Sequence, residues 1–217
     1  MRVCEIFDSI DGEGIRTGYP VTFVRLHGCN LNCNYCDSRY ACDGEDYTFM
    51  TISQIVDKVN ISGLGRVTLT GGEPLIHKDV VHLIDELSVD NEVNIETNGS
   101  VDLSLLDSLK NGRNNIIVTM DYKCKGSGMV DHMIASNFDK LNENDVLKFV
   151  VSDKADLDDM RTILQGNNIV CSVFVSPVFG RIDPKDIAEY IVSNKLTNCR
   201  MQIQLHKVVW DPDERGV

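Results

Sequence analysis

Short apolar runs rich in β-branched residues recur along this chain of 217 residues, and amphipathic segments separate several of them. The apolar runs predict strands at 21–26, 66–69, 93–96, 116–120, 146–151 and 170–175, with a final candidate at 201–205. The amphipathic segments predict helices at 52–60, 80–87, 103–110, 157–164 and 187–193. Buried strands that alternate with helices are typical of a parallel α/β sheet.

The length of the chain limits how far such a sheet can close. A complete eight-stranded β/α barrel usually takes about 250 residues. We therefore expect a single domain over 1–217, folded as an open, incomplete parallel β/α barrel with about six strands and few helices.

Polar or glycine-rich signals follow strand after strand at the carboxyl end. They lie at 27–29, 70–74, 97–99, 121–123, 152–153 and 176–177. The carboxyl ends of parallel strands meet at one rim, where α/β enzymes carry their chemistry. The sequence therefore predicts a functional site at this rim.

The charge balance bears on the kind of partner. Lys and Arg number 21 against 33 Asp and Glu, and no basic stripe suited to phosphates is present, so a small-molecule substrate is favoured over nucleic acid. No apolar run approaches the roughly 20 residues that span a bilayer. The first residues, MRVCEIFDSIDGEG, lack the apolar stretch of a signal peptide, and a cytoplasmic protein is expected.

Three of the eight cysteines form the spacing C-x3-C-x2-C at Cys29, Cys33 and Cys36, and the other five are scattered. Three thiolates in one loop suit a single metal centre but are one ligand short of a closed four-cysteine site. A structural zinc could take His27 or Cys42 as its fourth ligand. A [4Fe–4S] cluster with one open iron instead makes the missing ligand the functional feature.

The cysteine spacing, with Tyr35 just before the last cysteine, resembles the signature of the radical S-adenosylmethionine (SAM) superfamily. The stretch Thr-Gly-Gly-Glu-Pro at 70–74 is similar to that superfamily's second motif. The resemblance implies that the open iron chelates the amino and carboxylate groups of SAM. An electron from the cluster then cleaves SAM, giving a 5′-deoxyadenosyl radical that abstracts hydrogen from a substrate.

Four further stretches, at 9–14, 23–26, 36–38 and 204–207, resemble the 7-carboxy-7-deazaguanine synthase family of queuosine and deazapurine biosynthesis. That family converts 6-carboxy-5,6,7,8-tetrahydropterin to 7-carboxy-7-deazaguanine with loss of ammonia. The resemblance implies hydrogen abstraction at the substrate C6, ring contraction, and return of the hydrogen so that SAM is regenerated. It also implies Mg²⁺ on the substrate carboxylate, a homodimer, and an electron donor such as flavodoxin.

The resemblance assigns residues by position. Cys29, Cys33 and Cys36 would hold the cluster, and Ser38, where the family usually has threonine, would bind Mg²⁺. Arg25 would pair with the substrate carboxylate, as a guanidinium fork can. The substrate contacts implied are Ile10, Asp11 (often Gln in the family), Gly12, Glu13, Arg25, Thr70, His206 and Pro212. The SAM contacts implied are Tyr35, Cys36, Asp37, Gly72, Glu73, Glu96, Asp121, Tyr122 and Lys123. The last three stand where the family often has Ser-Pro-Lys, and only Lys123 matches that segment.

Two other functions share some of these features. A radical SAM activase that installs a glycyl radical on a partner protein has the same cysteine loop and a small size. The Asp-Gly-Glu-Gly at 11–14 and Cys-Asp-Ser at 36–38 argue against it. A zinc-stabilised binding module is the non-enzymatic alternative, and it would be colourless where a cluster protein is brown.

Overall fold

The computed structural model describes residues 1–212 and 214–217, and within them the strands form one nine-stranded sheet in the order β3-β1-β2-β4-β5-β6-β7-β8-β9. Strand β2 and strands β4 to β9 run parallel, whereas β1 pairs antiparallel with β2 and β3 pairs antiparallel with β1. The strands are β1 Arg2–Ile10, β2 Pro20–Leu26, β3 Thr48–Phe49, β4 Arg66–Gly71, β5 Glu92–Thr97, β6 Ile116–Tyr122, β7 Val146–Val151, β8 Ser172–Pro177 and β9 Cys199–Met201. Since β3 and β9 are the two edges, the sheet is open, as predicted.

The strand count was too low, because β1 and β3 were not predicted. Strand β1 carries Arg2, Glu5 and Asp8 among its apolar residues, and these charges hide the strand pattern. The predicted strand at 170–175 lies two residues later, since Val170 is 55% exposed and precedes the sheet. The last strand spans Cys199–Met201, earlier and shorter than the predicted 201–205.

All five predicted helical segments contain helix. The helices are α1 Ile52–Ser62, α2 Val80–Leu87, α3 Asp107–Lys110, α4 Lys154–Gly166, α5 Pro184–Ser193 and α6 His206–Val209. A capping box between Thr51 and Gln54 begins α1, and Gly63, with φ of 69°, ends it in the left-handed conformation. The segment at 103–110 divides into a 3-10 helix, Leu103–Leu106, followed by α3. No described helix is long and apolar enough to cross a membrane.

The parallel strands present chemically different faces. One face is aliphatic and packs against the helices, through residues such as Leu69, Ile95, Val118, Leu147 and Val173. Alternate residues point to the opposite face, as the pleat of a strand requires. That inner face carries polar side chains that line a cavity: Thr70, Glu96, Thr119, Asp121 and Lys148. The barrel interior is thus a polar binding space, and the core lies between sheet and helices.

Candidate active site

The cavity has a volume of about 630 Å³ and lies against the polar face of the sheet and the loops at the carboxyl ends of its strands. It brings together most of the residues predicted from sequence. Those that line it are Ile10, Asp11, Gly12, Glu13, Arg25, Cys29, Cys33, Tyr35, Cys36, Asp37, Ser38, Thr70, Gly72, Glu96, Asp121, Lys123, His206 and Pro212. Two predicted SAM contacts, Glu73 and Tyr122, do not line it.

The three motif cysteines line one part of this cavity, together with Cys42. The sulfurs of Cys36 and Cys42 lie 3.9 Å apart. Hydrogen bonding by Cys42 lowers the pKa of Cys29 to about 6 and that of Cys36 to about 7, and the Leu31 N–H also donates to Cys29. The same bonds raise the pKa of Cys42. The pKa shifts of Cys29 and Cys36 thus run opposite to that of Cys42.

These sulfurs fit an iron–sulfur cluster by their chemistry. Thiolates at Cys29 and Cys36 are the soft ligands that iron–sulfur clusters take, although burial raises the pKa of Cys33. Among the described residues, no three His, Cys, Asp or Glu side chains already surround one point. A [4Fe–4S] cluster takes each of its thiolates on a different iron, so its three cysteine ligands need not converge on one point. His27, the other candidate ligand, is buried against the Tyr47 ring and does not line the cavity.

The glycine motif at 70–74 packs directly against the start of the cysteine loop. The Glu73 N–H donates to the Gly28 carbonyl at 2.9 Å, and a Cβ on Gly72 would collide with that carbonyl and with Cys29. Glycine is required at position 72 because the two backbones approach so closely.

The Glu73 side chain is fully buried beneath the cavity rather than facing it. It accepts hydrogen bonds from Leu75 N, from Thr97 Oγ1 and, at 2.6 Å, from Asn98 N. Burial raises the pKa of Glu73 to about 7. Its contacts tie the end of β4 to the end of β5, and Asn98 in turn donates to the Cys29 sulfur at 3.8 Å.

Glu13 lies at the cavity wall with a full set of donors. Its two oxygens accept hydrogen bonds from Ser176 Oγ at 2.6 Å, Lys148 Nζ at 3.1 Å, Gln202 Nε2 at 3.3 Å and Gln204 Nε2 at 3.5 Å. A carboxylate offers about four lone-pair positions. Burial raises the pKa of Glu13, but Lys148 and Ser176 outweigh it, and the net pKa is lowered. Glu13 is therefore ionised at neutral pH.

Lys148 extends this contact into a chain of alternating charges. Its Nζ lies 3.7 Å from Asp121 Oδ2, and Lys123 Nζ lies 2.9 Å from the same oxygen. The Lys148 side chain is 8% exposed, and its negative neighbours raise its pKa well above the ordinary value despite burial. The other oxygen, Asp121 Oδ1, is buried with no hydrogen-bond partner among the described residues. An orphaned acceptor at a cavity wall suits a ligand that brings an N–H or O–H donor.

Arg25 is held by a residue that was not predicted. Its Nε donates to Glu5 Oε1 at 2.7 Å, and the Tyr40 hydroxyl donates to the same oxygen at 2.7 Å. Arg25 also lies over the Tyr40 ring, with Cζ 5.9 Å from the centroid. Arg25 and Tyr40 both line the cavity. The guanidinium edge formed by Nη1 and Nη2 is the one that a second carboxylate can take.

The loop after β1 meets the end of the chain. The Leu205 N–H donates to the Gly12 carbonyl at 3.0 Å, and the Gly14 N–H donates to Gln202 Oε1 at 2.8 Å. A Cβ on Gly12 would collide with the His206 ring, so the absence of a side chain there lets the histidine approach. Burial lowers the pKa of His206, which favours its neutral form.

Asp11 faces a buried arginine that sequence reasoning missed. Arg16 Nε donates to Asp11 Oδ2 at 2.8 Å, and Thr68 Oγ1 donates to Asp11 Oδ1 at 3.0 Å. Arg16 also donates to the Val67 carbonyl on β4 and to Glu92 on β5. Burial raises the pKa of Asp11 to about 6 even beside Arg16. Asp11 thus anchors its loop to the sheet.

The remaining predicted residues divide between the two faces. The Tyr122 ring packs on Phe138 and Phe149, with centroids 5.6 Å apart in each pair, on the helix-covered side of the sheet. The Tyr35 hydroxyl donates to the Val150 carbonyl at 3.1 Å, which holds its ring at the cavity. Asp37 pairs with Lys207 at 3.2 Å, and Ser38 Oγ donates to Asp37 Oδ1 at 3.2 Å.

Comparisons with known proteins agree with one family. Residues 23–122 match the model of the radical SAM superfamily. Over its whole length the chain is 45% identical to 7-carboxy-7-deazaguanine synthase of Clostridium acetobutylicum, covering 99% of that protein. It is 37% identical to the enzyme of the same name from Chlorobaculum tepidum, covering 97% of it.

Solved structures show the same fold at low sequence identity. The crystal structure of QueE from Escherichia coli matches with a TM-score of 0.72 at 20% identity, covering 94% of each chain. Streptococcus suis SuiB bound to S-adenosylmethionine matches with a TM-score of 0.60 at 16% identity, over 84% of this chain and 49% of SuiB.

Proposed function

The chain belongs to the 7-carboxy-7-deazaguanine synthase family of radical SAM enzymes, and we propose that it converts 6-carboxy-5,6,7,8-tetrahydropterin to 7-carboxy-7-deazaguanine with release of ammonia. The observation that carries this function is one polar cavity in which the three motif cysteines, Arg25 and Glu13 all take part. The cysteines would hold the cluster on which the radical chemistry depends, and the two charged residues would recognise the two ends of a carboxylated pterin.

Members of the radical SAM superfamily use a [4Fe–4S] cluster and SAM, and Cys29, Cys33 and Cys36 would hold the cluster here. When bound, the two cofactors supply a 5′-deoxyadenosyl radical that abstracts hydrogen from substrate. Cys42 would remain a thiol beside the ligands, in line with its raised pKa. Asp121 Oδ1 would accept from a donor group of SAM, and Lys123 would hold Asp121 in place.

Arg25 would receive the substrate carboxylate through its Nη1–Nη2 edge, a bidentate use to which guanidinium is suited. Ser38 Oγ would contribute one oxygen to Mg²⁺, which keeps several waters and also takes substrate oxygens. Its present partner is the neighbouring Asp37 at 3.2 Å, a long bond that a metal can replace.

Glu13 would accept hydrogen bonds from the amide and amino edge of the pterin. Its four acceptor positions already have partners, so an incoming N–H must displace one of them. The longest bond, from Gln204 at 3.5 Å, is the one that costs least to exchange. Glu13 would thereby keep its contact with Lys148 and remain ionised.

Other contacts follow from position in the cavity. Ile10, Gly12, Thr70, His206 and Pro212 would touch the substrate, and Asp11 would act through the loop that it anchors. Tyr35, Cys36, Asp37, Gly72 and Glu96 would lie against SAM, whereas Glu73 and Tyr122 would support the site from outside it. A flavodoxin-like electron donor, a homodimer and a cytoplasmic location remain predictions.

The test is product formation by the purified chain alone. Anaerobically reconstituted enzyme, incubated with SAM, dithionite, Mg²⁺ and 6-carboxy-5,6,7,8-tetrahydropterin, should form 7-carboxy-7-deazaguanine without any protein substrate. Cys29→Ala, Cys33→Ala and Cys36→Ala should each lose both the brown cluster and the product. A cluster-loaded wild-type enzyme that leaves the pterin unchanged would contradict the proposed function.

A further inference from the structure

Glu5 and Arg25 face each other across the β1–β2 strand pair. The antiparallel register places them directly opposite, after a shift between Val3 and Glu5. Opposite residues in such a pair have Cβ atoms about 5 Å apart, so this register brings the two side chains together. A bulge commonly re-aims a side chain. Here it accompanies a 2.7 Å bond from Arg25 Nε to Glu5 Oε1.

The same Glu5 oxygen also holds the segment that follows the cysteine loop. Tyr40 donates its hydroxyl to Oε1 at 2.7 Å, and Tyr40 lies in the short 3-10 helix Arg39–Ala41 that begins directly after Ser38. One carboxylate oxygen therefore links the guanidinium of Arg25 to the turn that carries the Ser38 hydroxyl. The side chains of Glu5 and Arg25 are 21% and 15% exposed, so the link is largely shielded from water.

We propose that Glu5 is a positioning residue that sets Arg25 and the Ser38–Tyr40 turn at the separation needed for a substrate carboxylate shared between them. This inference rests on the proposed function, in which Arg25 and the Ser38-bound metal receive that carboxylate. Because Glu5 occupies Nε, the outer guanidinium edge is presented to the ligand. A free arginine side chain would sample many rotamers, and ordering it on binding would weaken affinity.

The hydrogen bonds that Glu5 accepts indicate that it positions Arg25 and Tyr40, rather than serving mainly to neutralise the charge of Arg25. Both described bonds end on Oε1, so an amide oxygen in the same place could accept them. The negative charge of Glu5 repels a second carboxylate at the same guanidinium, so it does not itself favour substrate. Glu5→Gln should therefore preserve the function, and Glu5→Ala should remove it.

The experiment measures discrimination between two ligands. Cluster-loaded protein with SAM and Mg²⁺, but without reductant, is titrated anaerobically with 6-carboxy-5,6,7,8-tetrahydropterin and with 5,6,7,8-tetrahydropterin. In the wild type the carboxylated ligand should bind about 30-fold more tightly or better, the factor of a desolvated charge pair. Glu5→Ala should lower this ratio by about tenfold or more, and Glu5→Gln should stay within about threefold of wild type.

A matched control lies on the same strand. Asp8 Oδ1 also accepts two hydrogen bonds, from Thr22 Oγ1 and Ser62 Oγ at 2.8 Å each, but Asp8 does not line the cavity. Asp8→Ala should leave the ligand ratio unchanged. Tyr40→Phe removes one of the two bonds to Glu5, should lower the ratio, and decides the matter if Glu5→Ala does not fold.

The outcomes separate this inference from the proposed function. A wild-type ratio near one would overturn the carboxylate role of Arg25, and with it the basis of the inference. A normal wild-type ratio that persists in Glu5→Ala or, if that variant does not fold, in Tyr40→Phe would overturn the positioning role alone. Equal losses in Glu5→Gln and Glu5→Ala would also overturn it, because charge rather than an acceptor would then matter.

Discussion

Replacing Lys148 by methionine should destabilise the protein far more than replacing a surface lysine. The change keeps a long unbranched side chain but removes the only charge that bridges Glu13 at 3.1 Å and Asp121 at 3.7 Å among the described residues. At an effective dielectric constant of about 20, unit charges at these distances attract by about 5 and 4 kcal/mol. The cost of burying the lysine offsets much of this attraction, and breaking a buried pair typically costs about 3–5 kcal/mol.

The free energy of unfolding should therefore fall by about 3–5 kcal/mol in Lys148→Met. Anaerobic urea denaturation of cluster-loaded protein, followed by circular dichroism, measures it. Lys185→Met is the matched control, because Lys185 pairs with Glu189 on the surface with side chains 74% and 65% exposed. Its free energy of unfolding should match that of the wild type within error.

The pH dependence should have a defined sign. The folded pKa of Glu13 is lowered from 4.5, so its ion pair stabilises the wild type above about pH 4.5 and is lost as pH falls through the lowered folded value. In Lys148→Met, burial without the lysine raises the pKa of Glu13. Protonation of Glu13 at lower pH then removes the cost of burying an unpaired carboxylate. The stability gap between the two proteins should narrow from pH 7 to pH 5. A loss below about 1 kcal/mol, or a gap that widens in acid, would refute the reasoning.

Substitutions at three other positions, with their controls, test the cavity. Cys42→Ala should keep four irons per chain and the brown colour; loss of the cluster would make Cys42 a ligand. Gly72→Ala should abolish cluster incorporation because its Cβ meets Gly28, whereas Gly166→Ala, which has open space, should load normally; iron analysis of both decides. Ser38→Ala should raise the Mg²⁺ concentration needed for half-maximal turnover and Ser38→Thr should not, since only the former removes the oxygen; three superimposable Mg²⁺ titrations would exclude the metal role.

The parallel strands could be predicted because strands buried on both faces appear in the sequence as nearly continuous apolar runs. Runs such as 116–120 and 146–151 are apolar enough to be strands in almost any context. Strand β1 could not be found this way, because Arg2, Glu5 and Asp8 interrupt its apolar pattern. Glu5 on that strand is explained by its register opposite Arg25, which no local pattern encodes.

The same distinction applies to the candidate site: residues in short motifs could be predicted from sequence, and residues defined by contacts distant in sequence could not. Motif residues such as Cys29, Glu13 and Arg25 could be placed by resemblance, because they lie in short recognisable stretches. Lys148 gave one signal, a lysine inside an apolar strand, but its partner Glu13 is 135 positions away along the chain. For Glu73 the motif was misleading, because its place there predicts a ligand contact. Its carboxylate instead accepts hydrogen bonds from two backbone N–H groups and the Thr97 hydroxyl, outside the cavity lining.

The central claim is that the cysteine loop and the polar cavity act on one substrate, with SAM as a regenerated cofactor. Under anaerobic, reducing conditions with excess 6-carboxy-5,6,7,8-tetrahydropterin, one measurement follows 7-carboxy-7-deazaguanine, ammonia and SAM in the same reaction. The account predicts equal amounts of deazapurine and ammonia over many turnovers, while the SAM concentration stays nearly constant. Stoichiometric loss of SAM to 5′-deoxyadenosine and methionine, with no deazapurine formed, would contradict it.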